Sequence, residues 1–255
     1  MSLSGRIGLV TGAGRGIGKT TARLLCEDGM AVGVNDIDSA AAAATAAELR
    51  AAGHTALAYA GDVTSAPAVA TIFDRVEAEL GPLWLLVNNA GVFHSAPTQV
   101  FPEDEWDREF AVDCKAVFLC SQAAIRRMAP REGGRMVIIS SIAGQIVRTN
   151  QIAYCSAKAA AIHFARCLAV EMAPCGITVN CVCPGMTDSA MLQQSARERG
   201  VEIGAYKAMI PAGRLAAAED HAHTIAWLAS DGAAHVTGQV IAVDGAQSLY
   251  HPLTI

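Results

Sequence analysis

The sequence predicts an α/β fold, a doubly wound parallel sheet of about seven strands with helices on both faces. Three observations carry this. Apolar runs alternate with helical patterns from one end of the chain to the other. A glycine-rich turn joins the first apolar run to the first helical pattern. The 52% hydrophobic content and mean hydropathy of +0.32 suit strands buried on both faces plus some oligomer interface. At 255 residues the chain is long enough for one domain with a large core, and no linker or composition shift divides it.

The first strand is expected near 6–11, in the apolar run Ile7-Gly8-Leu9-Val10. Thr11-Gly12-Ala13-Gly14-Arg15-Gly16-Ile17-Gly18 follows, and Thr20, Ala22, Leu24 and Leu25 then carry a helical pattern. Such glycines let the backbone approach a pyrophosphate, and the helix N-terminus offers it open N–H groups and a positive dipole end. They fall at 12, 14, 16 and 18, a spacing that differs from G-x-G-x-x-G. The second strand, 31–36, ends on Asp36, 18 residues after Gly18, close to the spacing expected of a carboxylate that binds an adenosine ribose. The alanine-rich run 40–47 reads as a helix that Glu48, Leu49 and Arg50 continue. Strands near 56–60 and 83–88 run into Asp62-Val63 and Asn88-Asn89-Ala90-Gly91. A fifth, 135–140, delivers Ser141 at its end, 13 residues before Tyr154. The helix Ile152–Met172 follows, then strands near 177–183 and 238–243. Ligands of such sheets bind beyond the carboxyl ends of the strands, where each of these motifs falls.

Composition excludes several classes. No run approaches 18 consecutive apolar residues, and Arg6 and the glycine loop interrupt any signal-peptide core, so a soluble cytoplasmic protein is expected. The net charge of −5 argues against a nucleic-acid surface. Eight cysteines read as small buried hydrophobes; alternation puts Cys181 and Cys183 on one sheet face, and no metal site is expected. His221 and His223 lie two apart on a helix and read as surface histidines.

Tyr154 and Lys158 share one helix face because they are four residues apart. A phenol titrates near 10, so making it a proton acceptor at neutral pH takes a shift of roughly three units, or about 4 kcal/mol. A fixed ammonium acts in that direction. A strand-end hydroxyl such as Ser141 is well placed to reach a substrate oxygen.

Together the 11–18 loop, Asp62-Val63, the 88–91 segment, Ser141, the Tyr154/Lys158 pair and Pro184-Gly185 followed by Ser189 resemble the short-chain dehydrogenase/reductase family along essentially the whole chain. The resemblance implies a Rossmann-like oxidoreductase moving hydride between a nicotinamide cofactor and an alcohol or carbonyl. Tyr154 would exchange the substrate proton, Ser141 would hydrogen-bond the substrate oxygen, and Lys158 would lower the Tyr pKa and hold the nicotinamide ribose. Gly12, Arg15, Gly16, Ile17 and Gly18 would take the phosphates and Asp36 the adenosine ribose. Asp62, Val63, Asn89, Ala90 and Gly91 would line the adenosine, and Pro184, Gly185, Thr187 and Ser189 the carboxamide. Asp36 repels a 2′-phosphate and favours NAD; Arg15 argues the other way, as in some NADP-preferring relatives. Asp113 departs from the family, standing where relatives usually have an Asn thought to hold a relay water. It can accept from that water but cannot donate as an amide does, and once ionised it would favour charged Lys158 while opposing a Tyr154 phenolate.

The substrate would meet Phe93 and His94, the residues Gln145, Arg148, Thr149, Asn150 and Gln151, and a lid at about 186–213 that brings Met186, Met191, Tyr206 and Met209. Polar side chains around the reactive oxygen favour a small polyhydroxylated or carboxylate-bearing alcohol, with Arg148 as carboxylate anchor. Thr187-Asp188-Ser189, Met191, Arg148 and Asp244-Gly245 resemble 2,3-dihydro-2,3-dihydroxybenzoate dehydrogenases, while sugar and polyol dehydrogenases and 3-oxoacyl reductases share the frame. The expectation is an NAD-dependent secondary-alcohol dehydrogenase, a homotetramer or homodimer. The alternatives are an NADP-dependent carbonyl or 3-oxoacyl reductase and a non-catalytic NAD(H) sensor or scaffold.

Overall fold

The computed structural model describes residues 2–250. Seven strands, β1 (Ile7–Val10), β2 (Ala31–Asp36), β3 (Ala56–Ala60), β4 (Leu83–Asn88), β5 (Gly134–Ile139), β6 (Ile177–Pro184) and β7 (Val240–Val243), form one parallel sheet. Their order is β3-β2-β1-β4-β5-β6-β7. The winding reverses between β1 and β4, and that switch point opens a crevice at the carboxyl ends. Every residue of β1, β5 and β6 is buried, as a sheet covered on both faces requires.

Helices α1 (Gly16–Glu27), α2 (Ser39–Ala51) and α9 (Ala218–Ala229) cover one face, packing Ala22, Leu25, Ala46, Leu49, Ile225 and Leu228 onto Val10, Val32 and Val34. On the other face α3 (Ala66–Glu79), α5 (Ala116–Met128) and α6 (Ile152–Met172) bury Phe73, Val117, Ala124, Ala161 and Leu168 against Leu9, Leu86 and Ile138. Asp38 caps α2 by accepting the N–H groups of Ala40 and Ala41, which starts the alanine-rich helix where the sequence indicates. Helix α4 (Glu103–Phe110) runs into α5 through a π turn, Ala111–Lys115. Cys181 and Cys183 both enter the core on the α5–α6 face, and all eight cysteines are free.

Beyond β6, α7 (Ala190–Arg199) and α8 (Ile203–Ala208) enclose a small cluster of their own: Ala196, Tyr206, Ile210 and Leu215. A bridge between Thr187 and Ala216 pins the base of this segment. The reading of both α9 histidines as surface residues is corrected at His221. His223 is exposed, but His221 is fully buried, with Nε2 2.8 Å from the Thr187 hydroxyl. Because that hydroxyl donates to the Gly185 carbonyl at 3.0 Å, its lone pair receives the Nε2–H, which fixes the imidazole tautomer. Among the described residues no helix is long and apolar enough to cross a membrane, and no cluster of His, Cys, Asp or Glu has a metal-holding arrangement.

Candidate functional site

The 11–18 loop leaves β1 at the switch point. The Thr11 hydroxyl accepts the N–H groups of Asn89 and Ala90, both at 3.0 Å, and the Asn89 amide donates to the Thr11 and Gly12 carbonyls at 2.9 Å. The ends of β1 and β4 are thereby tied together, which brings Gly12 beside Ala90. Arg15 stands at the N-cap of α1 without making a capping bond, so the first N–H groups of the helix have no side-chain partner. Asp36 reaches over the loop from the end of β2. Its Oδ2 accepts the Gly14 N–H at 2.9 Å and its Oδ1 the Asp38 N–H at 3.0 Å. A Cβ on Gly14 would lie 2.8 Å from that Oδ2, so only glycine permits this approach. Asp62, after β3, folds back on Thr64, accepting its N–H and hydroxyl, each at 2.8 Å, and Val63 is buried beside it. Asn88 is buried and donates to the Ser121 hydroxyl at 3.1 Å, a packing contact between β4 and α5.

Ser141, Tyr154, Lys158 and Asp113 converge at the carboxyl ends of β4 and β5. Ser141 caps the turn Ile142–Gly144 by accepting the Ala143 N–H at 3.1 Å, and its hydroxyl also reaches the Tyr154 oxygen. The Ser140 hydroxyl donates to the Lys158 carbonyl at 2.9 Å, locking α6 onto β5. The buried Lys158 ammonium donates to the Ile139 carbonyl at 3.1 Å, lies 2.9 Å from Asp113 Oδ1, and sits 5.6 Å from the centre of the Tyr154 ring. Asp113 meets Lys158 directly. The π turn puts it there: one extra residue widens the backbone and swings the side chain inward. Gly91 leaves it room, since a Cβ there would stand 2.8 Å from Asp113 Oδ1 and 3.4 Å from Lys158 Nζ.

Burial alone would lower the Lys158 pKa; Asp113, and Tyr154 after it, reverse this and hold the ammonium above its usual range. Burial raises the Asp113 carboxyl above its usual range, and Lys158 opposes that without cancelling it. For Tyr154, burial raises the phenol, Lys158 pulls it down, Asp113 pushes it up and Ser141 lowers it, with a net rise. The expected lowering by Lys158 is therefore present but outweighed, chiefly by burial, to which the charge of Asp113 adds.

At the mouth, Phe93 packs edge-on against Tyr154 with ring centres 5.2 Å apart, and the His94 ring packs on Phe101 rather than toward Tyr154. The Ala96 N–H donates to the Asn150 carbonyl at 3.0 Å, joining the two segments that flank Tyr154. Arg148 is half-buried with its charge felt at Cys155, next to Tyr154; Gln145 is exposed and reaches the Cys183 thiol; Gln151 starts α6. Pro184 ends β6, and the Gly185 N–H donates to the Val243 carbonyl at 3.1 Å. Thr187 is buried, while Ser189 caps α7 by accepting the Leu192 N–H at 3.2 Å. The Met191 side chain lies outside the described residues.

Glu109 and His221 escape a reading of the sequence. Glu109 belongs to the charged stretch Glu103-Asp104-Glu105-Trp106-Asp107-Arg108-Glu109, which looks solvated throughout, yet it is fully buried and its Oε1 accepts the His94 N–H at 2.6 Å. Its one sequence signal is its place four residues before Asp113.

Comparison with known proteins agrees with this geometry. The family model described as short chain dehydrogenase matches residues 6–200. The cis-4-hydroxycyclohexanecarboxylate dehydrogenase of Sinomonas cyclohexanicum is 41% identical over 94% of this chain and 95% of its own length. The 2,3-dihydro-2,3-dihydroxybenzoate dehydrogenase of Bacillus subtilis is 34% identical over 97% of each. The 3-oxoacyl-[acyl-carrier-protein] reductase FabG of Escherichia coli is 35% identical over 96% of this chain and 98% of its own. A solved short-chain type dehydrogenase/reductase from Mycobacterium marinum superposes with a TM-score of 0.91 at 33% identity, covering 96% of both chains. A glycine loop at the switch point, a tyrosine and lysine one helical turn apart and whole-length similarity at this level lead to one conclusion: the chain belongs to the short-chain dehydrogenase family.

Proposed function

We propose that this protein is an NAD-dependent dehydrogenase that interconverts a small carboxylate-bearing secondary alcohol and its ketone. One observation carries the reading: Ser141 and Tyr154, two hydroxyl groups able to meet one substrate oxygen, are brought together beside the buried Lys158 ammonium.

The residues fit a nicotinamide dinucleotide. The open N–H groups of α1 and the backbone of Gly12, Gly16, Ile17 and Gly18 suit a pyrophosphate. Each Asp36 oxygen holds one backbone donor and keeps lone pairs for a ribose diol, while its charge disfavours a 2′-phosphate. Asp62, Val63, Asn89, Ala90 and Gly91 would line the adenosine; Pro184, Gly185, Thr187 and Ser189 would face the carboxamide. When bound, NAD supplies the hydride acceptor at nicotinamide C4.

This chain's residues do the remaining work. Tyr154 takes the alcohol proton in oxidation and returns it in reduction. Ser141 donates to the substrate oxygen and fixes its position. Lys158, kept charged by Asp113, steadies the phenolate and holds the nicotinamide ribose. Arg148 receives the substrate carboxylate, a group named in two of the relatives, with Gln145 and Gln151 around it. The 186–213 segment, with its own small core above a pinned base, closes as a lid. Phe118 and Val170, exposed on α5 and α6, suit a homotetramer interface.

A second reading, an NADP-dependent 3-oxoacyl or carbonyl reductase, is favoured by Arg15, exposed beside the phosphate loop, and by the likeness to FabG. Fluorescence titration with NADH and NADPH decides between them. Tighter NADH binding, shifting at least about tenfold toward NADPH in Asp36→Ala, supports the NAD reading; a native preference for NADPH overturns it. Turnover of a panel of alicyclic hydroxy acids against their uncharged alcohols then tests the carboxylate, with the preference lost in Arg148→Met.

A further inference from the structure

Glu109 lies one turn before Asp113, fully buried at the end of α4. Its Oε1 accepts the His94 N–H at 2.6 Å, and its buried Oε2 has no hydrogen-bond partner. A carboxyl left half-satisfied in the interior costs free energy that an apolar side chain of the same volume would not. The groups facing it are Asp113 from the π turn, Glu105 and Arg108 from α4, and Tyr154 and Cys155 from α6. His94 meets it through the backbone N–H, its ring being turned onto Phe101. Arg108 is the one cation among these groups, and it already pairs with Glu105 at 2.9 Å. The ammonium nearest the cluster, Lys158, is taken by Asp113.

Glu109 therefore touches the Tyr154 environment in two ways. Through the His94 N–H it fixes the segment that sets the Phe93 ring edge-on to Tyr154, with an interplanar angle of 86°. Through space, its negative charge opposes the formation of a second negative charge on the phenol.

We propose that Glu109 is a positioning residue for the proton exchange at Tyr154, holding Phe93 against the phenol ring and setting, through its own charge, how readily that phenol ionises. Burial pushes the Glu109 carboxyl up to about 7, so the opposing charge is absent below neutrality and present above it. The assignment rests on Tyr154 as the proton-exchanging group, but its test needs no substrate. The full chain is titrated by ultraviolet difference absorbance of phenolate, as wild type and as Glu109→Gln, each with its Tyr154→Phe counterpart subtracted. Tyr154 ionises above the pH at which Glu109 is charged, so removing that charge moves the Tyr154 midpoint down by about half a pH unit or more. A midpoint unchanged or raised in Glu109→Gln overturns the proposal. If Gln at this position does not fold, Glu109→Met keeps the volume, removes the charge and is read by the same criterion. A protein that turns over no alcohol while its Tyr154 midpoint shifts would overturn the dehydrogenase reading and, with it, the role in proton exchange, leaving only the charge coupling between Glu109 and Tyr154.

Discussion

Replacing Glu109 by Gln should make the protein more stable at alkaline than at acid pH relative to wild type, by an amount that follows from the raised pKa of its carboxyl. The folded chain holds this carboxyl protonated up to about 7, against an ordinary value of 4.5. The sign follows from which state releases its proton first. As pH rises past 4.5 the unfolded chain ionises Glu109 while the folded chain still holds the proton, so the folded state loses ground. The loss stops growing above 7, where both states are ionised. At about 1.4 kcal/mol per pH unit, the full span is roughly 3 kcal/mol, of which about 2.5 falls between pH 5 and pH 8. Gln keeps an acceptor for the His94 N–H and cannot ionise, so the comparison isolates the charge. Urea denaturation of both proteins at pH 5 and pH 8 measures it. A stability gap of the same size at the two pH values would mean that the carboxyl is not desolvated as its full burial requires, and the argument would fail.

The other predictions concern the neighbours. Tyr154→Phe should lower turnover about 10²- to 10⁴-fold while NADH binding, measured by fluorescence, is retained, because the ring stays and only the proton carrier goes. Asp113→Asn should displace the pH–rate profile and lower the Lys158 pKa, since burial then acts on the ammonium without its counter-charge; a superimposable profile would show that Asp113 is a neutral replacement. Burial lowers His221 to about 4, so the unfolded chain takes up the proton first as pH falls below the ordinary 6.5. Wild type should lose roughly 3 kcal/mol through that window, and His221→Leu should not lose this increment.

Legibility in the sequence tracked the physics of each feature. Strands buried on both faces, such as Ile177–Pro184, announce themselves as unbroken apolar runs, and the loops after them carry glycines, asparagines and hydroxyls in an order that few other folds share. The glycine loop, Asp36, Ser141 and the Tyr154/Lys158 pair could be placed because each depends on local spacing. Glu109 could not. Helix α4 is so rich in charge that every position looks solvated, and the partner of its one buried residue, the His94 N–H, reaches it from a different part of the chain. The π turn was equally hidden, because one extra residue shifts the helical phase without any composition to mark it. His221 fell on the wrong side for a related reason: its partner is a hydroxyl that follows β6, and no helical pattern within α9 reveals it.

The departure at Asp113 and the unexpected burial of Glu109 belong to one charge balance. An asparagine at 113 would leave the Lys158 ammonium without a counter-ion of its own, and a second acid nearby would then be the natural source of negative charge. Here Asp113 fills that role at 2.9 Å, and the Ile139 carbonyl on the ammonium, with the Val92 amide lying near Asp113, favours the charged form of the pair. One ammonium cannot hold two buried carboxylates at full charge without cost. Glu109, whose one neighbouring cation, Arg108, is already paired with Glu105, is the group left to keep its proton. The phenol of Tyr154 competes for the same positive charge, so each negative charge added to the cluster makes the next harder to form. It follows that Asp113→Asn combined with Glu109→Gln should not act additively on Tyr154. With Asp113 removed, the ammonium is free to stabilise an ionised Glu109, and Gln at 109 then changes the Tyr154 midpoint by a different amount than it does in wild type. Equal shifts in the two backgrounds would show that the carboxyls act independently, and the single charge balance would have to be abandoned.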